Sequence, residues 1–136
     1  MEKVFTILIV DRNPYIRELL KREMTKAGYH VREAKNGQEV LREIYTHEHL
    51  DLLILDPDLP DVNISTILEK VENRIPPLPV VIHGFPQDYI DKPDDSEKTP
   101  FVEKREDSIE HLKRVIFEIL GVSCPQKFDP DQKIEY

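Results

Sequence analysis

The chain has 136 residues, of which 39% are hydrophobic, and its formal net charge at neutral pH is -8. This length suits one domain with a substantial core, and the acidic balance argues against a nucleic-acid-binding surface, which needs a basic patch. The single cysteine, Cys124, excludes an internal disulfide, and the longest early apolar run, Val4 to Val10, is too short to cross a membrane. Because the start of the chain lacks a signal-like pattern, the cytoplasm is the predicted location.

Short apolar runs alternate with segments of helical periodicity along the chain. Five runs have the composition and length of strands, at 4–10, 29–34, 52–55, 80–82 and 101–104. Apolar residues at helical spacing predict four helices: one from Pro14, capped by Asn13, to Gly28, and others around 40–44, 64–75 and 109–120, the last ended by Gly121. This order of elements predicts an α/β domain.

Two stretches break the pattern. Residues 85–99 contain two prolines and five acids without an apolar stripe, which predicts an irregular, mobile segment in place of a helix between strands four and five. Residues 122–136 are polar and contain two prolines, so they are interpreted as a C-terminal tail or the stub of a linker. The predicted domain therefore covers residues 1–121.

Strands that alternate with helices imply right-handed crossovers and a parallel sheet with helices on both faces. For this chain we predict a flavodoxin-like, doubly wound sheet of five strands in the order 2-1-3-4-5. The carboxyl ends of strands one, three and five are expected to lie side by side at the switch point, where open α/β sheets bind their ligands. Asp11, Asp56 and Lys104 end those three segments, so these side chains are expected to meet.

Four segments together resemble the response-regulator receiver domain of two-component signalling. They are ILIVD followed by Pro14 and Arg17, then GYHVREAKNGQEVL, DLLILDPDLPD, and PFVEK before the last helix. The resemblance extends from Val4 to Gly121, nearly the whole chain.

The resemblance implies a function for several positions. Asp56 matches the carboxylate that accepts a phosphoryl group from a histidine kinase. Mg2+ would be held by an acid pair ending strand one and by the backbone at Asp58, while a hydroxyl ending strand four and Lys104 would hold the phosphoryl oxygens. An aromatic residue on strand five, here Phe101, would couple to that hydroxyl as part of the activation switch.

The sequence departs from the family pattern in four places. Arg12 follows Asp11 where the family has a second acid that binds the metal. Gly84, with His83 beside it, stands at the hydroxyl position, and Ile64 replaces a glycine that usually follows the acceptor loop. The fourth departure is that the sequence between strands four and five lacks a recognisable helix pattern. Each change removes a part that the phosphorylation cycle uses.

Two lysines compete for the fifth-strand position. DYIDKP around Lys92 resembles the lysine motif, but it leaves only seven residues after Gly84 for a crossover that needs about a dozen. Lys104 directly precedes the last helix and is favoured, with Lys92 as the alternative.

The charge count of the pocket argues against a metal. Asp11, Arg12, Asp56 and Lys104 sum to zero, whereas three acids and one lysine would carry -2. Arg12 is expected to pair with Asp11 or Asp56 and to plug a pocket that binds Mg2+ weakly or not at all. In the alternative, Arg12 swings out to solvent, and Asp11 and Asp56 with the Asp58 region hold a weak metal.

The remaining histidines and serines suggest no second site. The segment His47-Glu48-His49 looks like a metal-binding pair of histidines. It lies on a polar connector at the end of a helix, however, which favours a surface role. His30 and His111 are predicted to be exposed, while His83 either contacts the pocket or has a packing or capping role. Serines at 96, 108 and 123 have no histidine and aspartate arrangement that suggests a catalytic triad.

Two functional hypotheses follow. The favoured one is a receiver-type signalling module, not an enzyme, that acts through contacts with a histidine kinase or a downstream effector, without nucleic acid or membrane. The contacts would use either the acidic segment 85–99, folding on binding, or the first helix with Arg17, Lys21 and Arg22. The alternative is a small phosphatase or hydrolase using the D-x-D pair of Asp56 and Asp58, although the chain is too short for the cap of such enzymes.

Overall fold

The computed structural model describes residues 4–46, 49–89 and 99–121. Its five strands form one parallel sheet in the order β2-β1-β3-β4-β5. They are β1 (Thr6–Val10), β2 (His30–Ala34), β3 (Leu52–Leu55), β4 (Val80–Gly84) and β5 (Phe101–Glu103). The α-helices in these ranges are α1 (Pro14–Lys26), α2 (Gly37–Thr46), α3 (Ile64–Asn73) and α4 (Ser108–Leu120). The predicted flavodoxin-like fold is confirmed.

The sheet separates two apolar cores because successive side chains of a strand point to opposite faces. From β1, Ile7 and Ile9 pack with residues of α1 and α4, while Leu8 and Val10 pack with residues of α2 and α3. All four residues of β3 are at most 1% exposed, and each contributes roughly 1.5–3 kcal/mol by its burial. The uninterrupted apolar run of β3 thus reflects a strand that is covered on both faces.

The first helix begins and ends as its sequence predicts. The side chain of Asn13 accepts a hydrogen bond from the backbone N–H of Tyr15, and Pro14 stands in the first turn, where its missing N–H costs nothing. Gly28 follows the helix with a φ of 100°, a left-handed conformation that favours glycine. The cap places Asp11 and Arg12 in a short connection between β1 and α1.

The loop after β3 is fixed to the start of α2. The carboxylate of Asp61 accepts hydrogen bonds from the N–H groups of Gly37 (2.8 Å) and Gln38 (3.0 Å). Burial acts to raise the pKa of Asp61, but these and other backbone N–H groups outweigh it and lower the pKa below its usual value. A Cβ on Gly37 would lie 2.6 Å from Cγ2 of Val62, so the close approach requires glycine. The loop that carries Asp56 is therefore anchored at its far end.

The segment that follows β4 is more ordered than its sequence suggests. Pro86–Tyr89 form a 3-10 helix, and Tyr89 is buried with 6% exposure. Its ring stacks on that of Phe101, with centroids 5.8 Å apart and planes 11° from parallel. Within the described ranges, a four-residue 3-10 helix anchored by one aromatic ring thus stands where the sequence predicts a degenerate or irregular fourth helix, and that prediction is confirmed. Residues 90–98, which include Lys92, lie outside the described residues.

The strand limits also differ slightly from the prediction. β4 extends to Gly84, because His83 and Gly84 pair in register with Val102 and Glu103 of β5. β1 begins at Thr6 rather than at Val4, which is 48% exposed. The predicted tail at 122–136 and the pair His47 and Glu48 fall outside the described ranges. In the part of the chain that the structure describes, no helix combines the length and apolar character needed to cross a bilayer.

Candidate functional site

Three charged side chains meet at the carboxyl edge of the sheet. Asp11 follows β1 and Asp56 follows β3, with 1% and 2% exposure. Lys104 follows β5, and its Nζ lies 3.0 Å from Oδ2 of Asp11 and 4.0 Å from Oδ1 of Asp56. The expectation that the three strand ends lie side by side needs correction, since β4 separates β3 from β5. The long side chain of Lys104 spans that gap.

Backbone hydrogen bonds fix both carboxylate oxygens of Asp56. The N–H of Asp58 donates to Oδ1 (2.9 Å), and the N–H of Arg12 donates to Oδ2 (3.2 Å). Burial raises the pKa of Asp56 and the Asp11 charge raises it further, while the two N–H donors and Lys104 act to lower it. The net effect is a raised pKa. Asp56 is therefore a desolvated carboxylate held in one orientation.

Asp11 is held just as firmly. Its Oδ1 accepts a hydrogen bond from the N–H of Asn13 (2.9 Å), and its Oδ2 faces the ammonium group of Lys104. Its backbone carbonyl accepts a hydrogen bond from Nη1 of Arg17 (2.8 Å), which ties the end of β1 to α1.

Lys104 is fixed as well, because its backbone N–H donates to the carbonyl of Gly84 and its ammonium lies 5.6 Å from the centre of the Phe85 ring.

Arg12 makes a different contact from the one expected. Its Nη2 forms an ion pair with Oδ2 of Asp58 at 2.6 Å, rather than with the carboxylate of Asp11 or Asp56. The two side chains are 54% and 42% exposed, so the pair lies at the rim of the pocket. The reason is geometric: the Arg12 backbone already faces Asp56, and its side chain leaves the pocket toward the loop that carries Asp58. The guanidinium thus covers the site from outside rather than filling it.

The residues present do not fit a divalent cation. Mg2+ requires oxygen ligands with octahedral geometry, and an acid pair at the end of β1 would supply two of them. Here Asp11 faces an ammonium group, Asp58 faces a guanidinium, and both oxygens of Asp56 accept N–H groups. Among the described residues, no group of three or more acidic, histidine or cysteine side chains is arranged to hold a metal ion. The carboxylates of Asp11 and Asp58 are already paired with protein cations, and that of Asp56 is occupied by N–H groups.

The end of β4 provides no hydroxyl group to the pocket. Gly84 stands there, with no side chain, against the ring of Pro57. Ile64, at the glycine position after the acceptor loop, begins α3 and packs against the core. Phe101, the expected switch aromatic, is half-buried and stacks on Tyr89. Gly84 and Phe101 therefore make packing contacts, and Gly84 supplies no hydroxyl to which Phe101 could couple.

His83 has a packing role and does not contact the carboxylates. Its Nε2 lies 3.1 Å from Oγ of Ser108 at the start of α4, and its buried Nδ1 has no hydrogen-bond partner within the described residues. Burial, and secondarily the charge of Lys104, lowers the pKa of His83 to about 4, so the ring is neutral at physiological pH. No pattern in the sequence predicts this pair of residues, which are 25 positions apart. In the part of the chain that the structure describes, no carboxylate is hydrogen-bonded to this pair, so it does not form a catalytic triad there.

The other candidates lie apart from the pocket. His30, His49 and His111 are exposed, as predicted for His30 and His111. On α1, Arg17 and Lys21 contact Glu33 at 3.7 and 3.2 Å, so the basic face expected there is partly neutralised.

The chain belongs to the response regulator receiver domain family, since the model of that family matches residues 7–115. Among curated proteins it is similar to the sensor protein EvgS of Escherichia coli, with 37% identity over 75 residues, which are 55% of this chain and 6% of that protein. It is also similar to the DNA-binding transcriptional regulator NtrC of Rhizobium meliloti, with 31% identity over 93 residues, which are 68% of this chain and 19% of that protein. The chain therefore spans a small part of these longer relatives.

Solved structures agree with this assignment. The response regulator TrrA of Thermotoga maritima, in complex with Mg2+-BeF, is similar with a TM-score of 0.76 and 26% identity over 85% of this chain and 99% of that one. A complex of TrrA with the histidine kinase ThkA gives a TM-score of 0.73 at 26% identity, covering 87% and 100% of the two chains. The alternative of a D-x-D phosphatase has no support in these likenesses.

Proposed function

We propose that this chain is an atypical receiver that signals through protein contacts and does not depend on phosphorylation of Asp56. The observation that carries the proposal is the replacement of a metal-binding acid by Arg12, whose guanidinium forms a 2.6 Å ion pair with Asp58. The cation needed for phosphoryl transfer would have to displace this pair and approach the guanidinium.

The chemistry of phosphoryl transfer indicates what else is missing. An Asp56 oxygen would bond to phosphorus while the bond from phosphorus to the donor breaks, and the phosphoryl oxygens would need positive charge and hydrogen-bond donors. Pro57 has no N–H and Gly84 has no hydroxyl, while the ammonium of Lys104 already pairs with Asp11. Of the expected phosphoryl-binding groups, Lys104 alone has the right chemistry, and it is engaged.

A protein partner follows from the family. TrrA, which shares the fold and 26% of its sequence with this chain, forms a complex with the histidine kinase ThkA. We infer that the partner here is a histidine kinase or a downstream effector. The first turn of α1 offers an exposed aromatic for such a contact, Tyr15, which is 83% exposed. Tyr15 supports α1 as a docking face better than its partly neutralised basic residues do.

A phosphoryl mimic tests the proposal. Thermal unfolding is measured with and without Mg2+ and beryllofluoride, and the melting temperature of this chain is expected to stay unchanged because nothing binds. TrrA, whose structure holds Mg2+-BeF, serves as the positive control and should melt at a higher temperature with the mimic. An increase of several degrees in this chain that disappears in Asp56→Ala would contradict the proposal.

A further inference from the structure

Gly84 and Pro57 are in unusually close contact. Gly84 is the last residue of β4, and Pro57 follows Asp56 directly; both are buried. A Cβ built on Gly84 would lie 2.5 Å from Cγ of Pro57 and closer still to its Cδ, a separation that real Cβ atoms essentially never show. The pyrrolidine ring therefore occupies the space of any side chain at position 84.

Neither partner can move away easily. A proline ring is closed on its own backbone and has no rotamer that would clear the space. The Asp56 backbone is hydrogen-bonded to β1 through the carbonyl of Val10 (3.0 Å). The carbonyl of Gly84 accepts a hydrogen bond from the N–H of Lys104 (2.9 Å), which holds the end of β4 against β5. The contact is thus fixed from both sides.

The backbone of Gly84 does not itself require glycine. Gly28 and Gly121 have positive φ angles, while Gly84 has none. An alanine in an allowed conformation usually stabilises a protein relative to glycine, because it restricts the unfolded chain. Among the described residues, the atoms that a Cβ at position 84 would meet belong to Pro57, so the need for glycine comes from that contact.

We propose that Pro57 determines the identity of position 84 as a steric lock, which excludes every side chain there, including a serine or threonine hydroxyl. The functional meaning of the lock rests on the proposed function. Because Pro57 and Gly84 are in contact, the pocket lacks two hydrogen-bond donors for a phosphoryl group. These are the hydroxyl at the end of β4 and the N–H of the residue after Asp56. Restoring an acid at position 12 would consequently leave phosphoryl transfer impaired until Pro57 and Gly84 are replaced together.

A double-mutant cycle tests the steric lock. Gly84→Ala is expected to lower the melting temperature by about 5–10 °C in the parent chain, the effect of overpacking a fixed site. In the Pro57→Ala background the same change should be neutral or should raise the melting temperature. Pro60→Ala, which removes an exposed proline from the same loop, is the control background and should leave the loss unchanged.

Each outcome decides the question. If Gly84→Ala does not fold, the lock is supported when Pro57→Ala with Gly84→Ala folds. The lock is overturned if the double variant does not fold either, or if the loss is equal in the parent and in Pro57→Ala.

A second measurement tests the functional part. With acetyl phosphate and Mg2+, an Asp56 oxygen bonds to phosphorus as the phosphorus–oxygen bond to acetate breaks, and acetate leaves with the electron pair. The rate of mass gain should be more than about tenfold higher for Arg12→Asp with Pro57→Ala and Gly84→Thr than for Arg12→Asp alone. Equal rates would refute the functional role. Additive stability effects would refute the steric lock and leave the proposed function standing. Phosphorylation of the parent chain would refute the proposed function and leave the steric contact standing.

Discussion

Replacing Arg12 with aspartate is expected to create a Mg2+ site that the parent chain lacks. A guanidinium about 4 Å from a dication would repel it by about 8 kcal/mol at an effective dielectric constant of about 20. Arg12→Asp removes this repulsion, frees Asp58 from its ion pair and adds an oxygen ligand beside Asp11. Isothermal titration should show binding at millimolar Mg2+ for the variant and none for the parent.

Arg22→Asp is the matched control for this change. Arg22 is 59% exposed, close to the 54% of Arg12, but lies on α1 beside Glu23, away from the pocket. Both variants alter the net charge equally, so Mg2+ binding by Arg22→Asp would indicate a non-specific electrostatic effect. Equal Mg2+ binding by Arg12→Asp and the parent chain would show that Arg12 does not keep the metal out. Without metal, Arg12→Asp should melt below the parent, because the carboxylates then repel one another.

Replacing Lys104 with methionine is expected to destabilise the fold strongly. Lys104 is only 14% exposed in its side chain and neutralises Asp11, which is 1% exposed. Its removal leaves two buried carboxylates without a cation, which costs about 4 kcal/mol of unfolding free energy at neutral pH. Methionine keeps much of the apolar stem, so the loss reports mainly the charge. Urea unfolding of the parent and the variant measures it.

The control and the pH dependence make this prediction specific. Lys113→Met removes a more exposed ammonium from Glu23 and should cost far less. The pKa of Asp56 is raised by burial and by Asp11, and the loss of Lys104 raises it further. Below that raised pKa the carboxyl group is neutral in the folded state, so the difference between Lys104→Met and the parent should shrink as the pH falls through it. A loss that stays constant over this range would show that charge is not its cause.

The sheet and the three strand ends could be predicted because local signals were strong. The run Leu52 to Leu55 is typical of a strand buried on both faces, and an acid directly after such a strand lies at the carboxyl edge of the sheet. Crossover length favoured Lys104, and the structure places its ammonium 3.0 Å from Oδ2 of Asp11. These inferences depend on chain connectivity, which the sequence states directly, and on the general geometry of parallel sheets.

The finer contacts could not be predicted, because they depend on side-chain direction and on residues far apart in the chain. Arg12 was expected to pair with Asp11 or Asp56, but its stem leads outward to Asp58. The hydroxyl position could be counted to Gly84, yet no sequence rule states that Pro57 fills the space beside it. Tyr89 was assigned to an irregular segment, since a single buried aromatic leaves no periodic signal.

Phosphorylation of Asp56 can be measured directly. The parent chain is incubated with acetyl phosphate and Mg2+, and its intact mass is followed over time beside TrrA as a reactive control. No stoichiometric mass gain is expected for the parent chain, because Asp11 and Asp58 are already paired with protein cations and the pocket lacks two hydrogen-bond donors for a phosphoryl group. A stoichiometric gain of one phosphoryl group that is absent in Asp56→Asn would contradict the proposal.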